Sequence, residues 1–183
     1  MDDDAGRNTV LCYMTQRYRE LDEQVRTFMP LCGSACPSGC GICCTSEYEP
    51  EVTPEEGEYA AKYIIEFRSD LESRFDRINS REYCIFYDEH SPLHCTIYPV
   101  RPVICRGFGF CGYTTKSGGF AYRPCRYMEQ TAQPVTIADG PVLSNYHFQY
   151  ACASTTLPIS DAIFRAWQKL RYRMAEGEEP DAC

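Results

Sequence analysis

At 183 residues the chain suits one domain, 1–183, whose core can close without obligatory staples. Its net charge of −8, from 18 basic and 26 acidic side chains, is the wrong sign for a nonspecific polyphosphate binder, so nucleic acid is not an expected partner. No apolar run approaches the roughly 18–20 residues of a transmembrane helix, and Met1–Gly6 reads MDDDAG rather than a basic start followed by an apolar stretch. The expectation is therefore a cytoplasmic chain without a membrane partner.

The first predicted element is a helix over 8–29. Leu11, Met14, Tyr18, Leu21, Val25 and Phe28 recur at steps of three and four, the period of one helical face. Asn8 or Thr9 can cap it and Pro30 stops it. Cys12 lies beside this face and reads as a small buried hydrophobe.

The helix delivers the chain to Cys32, Cys36, Cys40, Cys43 and Cys44, five thiols within thirteen residues. Thirteen cysteines in all demand a chemical reason, and an odd count without a secretory signal argues against a disulfide framework. Adjacent cysteines pair poorly, because consecutive Cα atoms stand only ~3.8 Å apart. Thiolate ligation of metal explains the block better. Gly33, Gly39 and Gly41 would let the backbone wrap closely and aim amide donors at the sulfurs.

A second helix begins at Thr53. Thr53-Pro54-Glu55-Glu56 combines a capping hydroxyl, a first-turn proline and a carboxylate three residues on. Its expected buried face is Ala60, Ile64, Phe67, Leu71, Phe75 and Ile78.

From Tyr83 to Pro134 the periodicity vanishes, and Cys84, Cys95, Cys105, Cys111 and Cys125 are interleaved with Gly, Pro and aromatic residues. A structureless stretch of that length needs an ordering agent other than backbone ladders, and metal ligation is one. Pro141–Cys152 allows a short helix. Ser160 opens a last helix with the face Ile163, Trp167, Leu170 and Met174, and 176–183 reads as a loose tail. The fold class expected is mainly α with a long irregular cysteine-rich segment, a small helical domain organised around a metal site whose cysteine-cluster core is 32–125.

The order of these features is distinctive. A cysteine block ending in Cys43-Cys44, then a helix, then Cys84, Cys95-Thr96-Ile97-Tyr98, Arg101-Pro102 and Cys105-Arg106 resembles the YkgJ-like cysteine-cluster family, of the CxxCxxCC type, named for zinc or iron chelation. The resemblance runs from about Cys36 to Phe110. One departure is that three residues, not two, separate Cys36 from Cys40, which leaves open whether Cys32 or Cys36 fills the first position. The resemblance implies metal chelation by Cys40, Cys43, Cys44, Cys84, Cys95 and Cys105, with Cys36 beside them, and brings no settled reaction. Cys111 and Cys125 would be additions of this chain. Arg101 and Arg106 are expected as charge-balancing neighbours, or else as plain surface arginines.

Two cofactors compete. Zinc sites usually present two close ligand pairs, and Cys84, Cys95 and Cys105 supply no second close pair. Distributed single thiols and cysteine-only ligation suit an iron–sulfur cluster of the [4Fe–4S] type, the preferred reading, with zinc as the alternative. The expected function is accordingly a metal-binding cysteine-cluster protein with an electron-transfer, redox or modifying role and a redox or protein partner. The alternatives are a zinc-stapled structural or partner-binding module and, more weakly, a protein-modifying enzyme related to flagellin lysine methylases. His94, beside Cys95, reads as a surface residue in a polar loop, and no catalytic residue is legible.

Overall fold

A computed structural model describes residues 3–37, 40–46, 49–122, 124–130, 140–142 and 156–178, without the side chains of residues 3–11 and 129–130. The chain is mostly helical with a few very short strands. It forms two compact units, one made of Met1–Met14, Gly41–Pro102 and Gln149–Cys183, the other of Thr15–Cys40 and Val103–Phe148. The first helix, α1, is Asp3–Phe28 and supplies residues to both. It starts before the expected position 8. The predicted stripe holds where side chains are described: Met14, Tyr18, Leu21, Val25 and Phe28 are all buried. Cys12 departs from expectation, since it is exposed and disulfide-bonded, its sulfur used covalently rather than as core filling.

The first unit is built on α2, Pro54–Phe67, packed against α4, Ile159–Ala175. The capping box that opens α2 forms as the sequence predicts, with Thr53 Oγ1 accepting from Glu56 N and Thr53 N donating to the Glu56 carboxylate. Ala60, Ala61 and Ile64 on α2 and Ala162, Ile163 and Leu170 on α4 are buried. Small residues permit a close crossing: a Cβ added at Gly57 would lie 2.7 Å from the Ala162 carbonyl oxygen. Strands β2, Glu51–Val52, and β6, Leu157–Pro158, pair antiparallel, with Val52 opposite Leu157.

The helix beginning at Thr53 does not run on to Ile78. It breaks at Arg68 (φ −141°, ψ 47°) and resumes as a 3₁₀ helix, Ser69–Arg77. Arg68 explains the break, because its guanidinium is held by Asp70 at 2.8 and 2.9 Å and by the Thr96 carbonyl at 3.0 Å. The change of pitch restores Leu71, Phe75 and Ile78 to the core but leaves Phe67, expected inside, 69% exposed. Phe75 then anchors an aromatic cluster with Phe86, Phe164 and Trp167, its ring 4.9 Å from that of Trp167.

In the second unit β1, Ser34–Ala35, pairs antiparallel with β5, Glu129–Gln130. A short helix, α3, spans Val103–Gly107. Strands β3, Gly112–Thr114, and β4, Phe120–Tyr122, form a hairpin that the irregular composition of this stretch did not announce. Its turn is tied by Thr115 N to Gly119 O at 2.7 Å, with Gly118 at φ +84°. Phe28 meets the rings of Phe120 and Tyr122 edge-on, at 5.8 and 4.9 Å. Of the segment 141–152, only Pro141 and Val142 lie within the described residues, as does the tail only as far as Glu178.

Candidate metal centre

Four of the predicted sulfurs, those of Cys43, Cys44, Cys84 and Cys95, belong to the first unit. Cys43 and Cys44 sit in a tight turn closed by Cys44 N to Gly41 O at 2.9 Å and Thr45 N to Ile42 O at 3.2 Å. Gly41 is required there. Its φ is +56°, and an added Cβ would stand 2.7 Å from the Tyr87 ring. The backbone then joins the two cysteine-bearing segments directly, since Cys84 N donates to Cys44 O at 3.2 Å. Residues 84–96 fold back on themselves through an antiparallel bridge between Tyr87 and Cys95 and through Thr96, whose amide and hydroxyl both donate to Phe86 O.

Polar side chains frame this fold-back. Arg74 donates to the carbonyls of Ile85 and Tyr87, each at 3.0 Å, and to Asp88 at 2.6 Å. Glu49 accepts from Ser160 N and Oγ at 3.0 and 2.6 Å and from Arg81 at 3.3 Å, while Arg81 also pairs with Asp161. Ser160 Oγ in turn takes the amide of Ile85 at 3.4 Å. The chain just after Cys84 is thus held by groups that none of the cysteine spacings announced. His94 has φ +51° and its Nδ1 lies 3.3 Å from the Asp88 carbonyl, a backbone contact.

The Sγ atoms of Cys43 and Cys44 are 3.8 Å apart. Their proton is shared unequally. The Cys44 hydrogen bond holds the Cys43 thiol down, to about 6, despite partial burial, with the positive charge of Arg101 assisting. Cys44 is pushed up by that hydrogen bond, then by burial and by the charges of Cys43, Cys84 and Cys95. Burial, with Glu49 and Cys95 adding to it, pushes Cys84 up to about 12. Mutual repulsion of this kind is what a bound cation relieves. Arg101 itself lies over the Tyr98 ring, 3.5 Å from its centroid.

The remaining predicted sulfurs, Cys36, Cys40, Cys105, Cys111 and Cys125, belong to the second unit together with Cys32. None of the six is disulfide-bonded; Cys32 is buried, Cys36 exposed and the others half-buried. Burial pushes Cys111 up to about 11. Arg106 is buried, paired to Asp22 at 2.5 Å and set over the Tyr18 ring at 4.2 Å, a packing role within its own unit.

Among the described residues no group of three Cys, His, Asp or Glu side chains is already gathered for a metal ion. The donor set nonetheless fits one. Zinc bound to thiolates at ~2.3 Å in a tetrahedron sets neighbouring sulfurs about 3.8 Å apart, the separation found between Cys43 and Cys44. Cys84 and Cys95 lie near enough for their charges to bear on Cys44.

Residues 35–133 match the family described as "CxxCxxCC: Putative zinc- or iron-chelating domain". No curated protein and no solved structure matches the chain. The matched stretch is more than half of the sequence and contains every cysteine placed in the candidate centre, so the chain belongs to the CxxCxxCC family of zinc- or iron-chelating domains.

Proposed function

We propose that Cys43, Cys44, Cys84 and Cys95 chelate a single tetrahedral zinc or iron ion, and that this ion clamps the 41–46 turn to the 84–96 fold-back. The observation that carries the reading is the 3.8 Å separation of the Cys43 and Cys44 sulfurs. Two cysteines so close suit one ion. In a [4Fe–4S] cluster each cysteine binds a different iron, and the sulfurs stand further apart. Bound there, the ion neutralises thiolate charge and cross-links two loops. The chain's own residues do the rest: Gly41 permits the turn, Arg74 and Ser160 hold the Cys84 segment, and Arg101 adds positive charge beside Cys43. The role is that of a metal-stapled structural or partner-binding module.

An iron–sulfur cluster with an electron-transfer role is the second reading, favoured by the ten cysteines outside disulfides among the described residues and the cysteine-only donor set. Metal and acid-labile sulfide analysis of anaerobically isolated protein separates the two. A colourless protein, or one with a single iron and no labile sulfide, supports the mononuclear site. Labile sulfide equal to several irons per chain, with brown colour, replaces it by the cluster. Cys43→Ser and Cys44→Ser each weaken metal binding under the first reading.

A further inference from the structure

The first turn of α4 and the chain at Cys84 share a buried hydrogen-bond network inside the first unit. Pro158, at the N-cap of α4, supplies no side-chain cap, and the amides of the first turn are taken up from elsewhere: Ile159 N donates to Pro50 O at 3.1 Å and Ser160 N to Glu49 Oε2 at 3.0 Å. A carboxylate suits that end of a helix. The Ser160 hydroxyl is fully buried and has one proton, which it donates to Glu49 Oε1 at 2.6 Å. Its lone pairs are therefore what it offers to Ile85 N, 3.4 Å away. Arg81 holds Glu49 in place at 3.3 Å and also pairs with Asp161, the next residue of α4. With the Glu49 side chain only 8% exposed, water screens these contacts little.

Ile85 follows Cys84, so the peptide that joins them is gripped by α4. On its other side Cys84 N is bonded to Cys44 O at 3.2 Å, and Arg74 holds Ile85 O at 3.0 Å. We infer that Ser160, oriented by Glu49, is a positioning residue for Cys84 and couples metal binding at that sulfur to the first turn of α4. The inference rests on the chelation by Cys84 proposed above. At 3.4 Å the bond from Ile85 N to Ser160 is longer than the ~2.9–3.0 Å usual for an amide donor, so a ligand held firmly at position 84 has room to tighten it. Coupling of this kind is reciprocal: the factor by which the closed network raises metal affinity is the factor by which bound metal favours the closed network. Its reach is short. Ile163 and Leu170 are buried where α4 packs on α2, so the body of α4 is held independently of the coupled turn.

Amide hydrogen exchange of the full-length protein, zinc-loaded and chelator-stripped, tests it residue by residue. Zinc should raise protection about 10-fold at Ile85, Ile159 and Ser160 and leave the amides of 163–170 unchanged. Ser160→Ala should weaken zinc binding about 10-fold, as the loss of other groups that orient a ligand does, and abolish the zinc-dependent protection at Ile159. Thr53→Ala, in the capping box of the same unit and outside the network, should lower stability yet keep the zinc affinity, which separates positioning from destabilisation alone. If Ser160→Ala does not fold, Glu49→Gln decides: it keeps the shape, turns one acceptor into a donor, frees the Ser160 hydroxyl from its single orientation and should likewise remove the gain at Ile159. Unchanged zinc affinity in folded Ser160→Ala overturns the inference. So does protection at Ile159 and Ser160 that zinc does not alter, in a protein whose zinc affinity falls in Cys84→Ser; the chelation by Cys84 then stands without the coupling. Zinc affinity indifferent to Cys84→Ser overturns both.

Discussion

Zinc affinity should depend on pH with a break near pH 6, and the thiols of the first unit set both the slope and the break. A proton and a metal ion compete for the same sulfur, so every thiol that is still protonated in the free protein must release its proton on binding, and affinity rises with pH. Cys44 and Cys84 are both held above the ordinary thiol range and stay protonated through neutral pH. These two alone give about 100-fold in affinity, or ~2.7 kcal/mol, for each pH unit. Cys43, held down to about 6, is already a thiolate at pH 7 and releases nothing there. Below pH 6 it too is protonated, and its proton adds about one more power of ten per unit. The plot of log affinity against pH should therefore steepen by one as pH falls through about 6. Competition against a chelator of known proton affinities, from pH 5 to 8, measures it. Cys43→Ser should weaken binding throughout and abolish the break. A single constant slope across pH 6 in the wild type, or a slope below one, would refute the reasoning.

Three structural predictions accompany it. Thr53→Ala removes one half of the capping box of α2 and should destabilise the first unit by about 1 kcal/mol in urea unfolding, with the denaturant slope unchanged. Gly57→Ala improves helix propensity yet forces a methyl to 2.7 Å from the Ala162 carbonyl oxygen; we expect net destabilisation of about 1–3 kcal/mol, and a gain in melting temperature would contradict the close α2–α4 crossing. Arg74→Ala withdraws the donors from the Ile85 and Tyr87 carbonyls and unpairs Asp88, costing about 1–3 kcal/mol. Because those bonds hold the Cys84 segment, zinc affinity should also fall about 10-fold, as with other groups that orient a ligand, and equal affinity in a folded variant would count against that link.

Period and caps were legible without coordinates; side-chain capture of the backbone was not. The stripe from Met14 to Phe28 and the capping box at Thr53 rest on residues within four positions of one another, so local rules suffice. The break after Phe67 depends on Arg68 reaching the Thr96 carbonyl, a partner 28 residues away that no window contains. The hairpin Gly112–Tyr122 was hidden because its strands are only three residues each, too short to show alternation, and its turn is identified by Gly118 rather than by a hydrophobic pattern. Cys12 looked like core by its place beside the helical stripe, but it is exposed, and its disulfide is a long-range fact that helical period cannot encode.

The candidate centre shows the same division. Cysteine type and order carried the family and its chelating chemistry, because soft sulfur ligands in quantity have few other uses. Their number alone does not choose between one ion and a cluster, since a count treats all sulfurs as equivalent. They are not. Cys43 and Cys44 stand at the spacing of two ligands on one ion, and the Cys84 segment is fixed beside them by the Cys84 amide hydrogen bond to Cys44 O and by Arg74, Glu49 and Ser160 through their backbone and charge contacts. Nor does the core of the first unit wait for metal. Ile64, Ile163 and Leu170 bury α2 against α4 with no sulfur among them, so a chelator that strips the ion should loosen the 41–46 and 84–96 loops while leaving those helices paired. A metal that orders loops on a preformed helical frame, rather than one that creates the fold, is the arrangement these contacts favour.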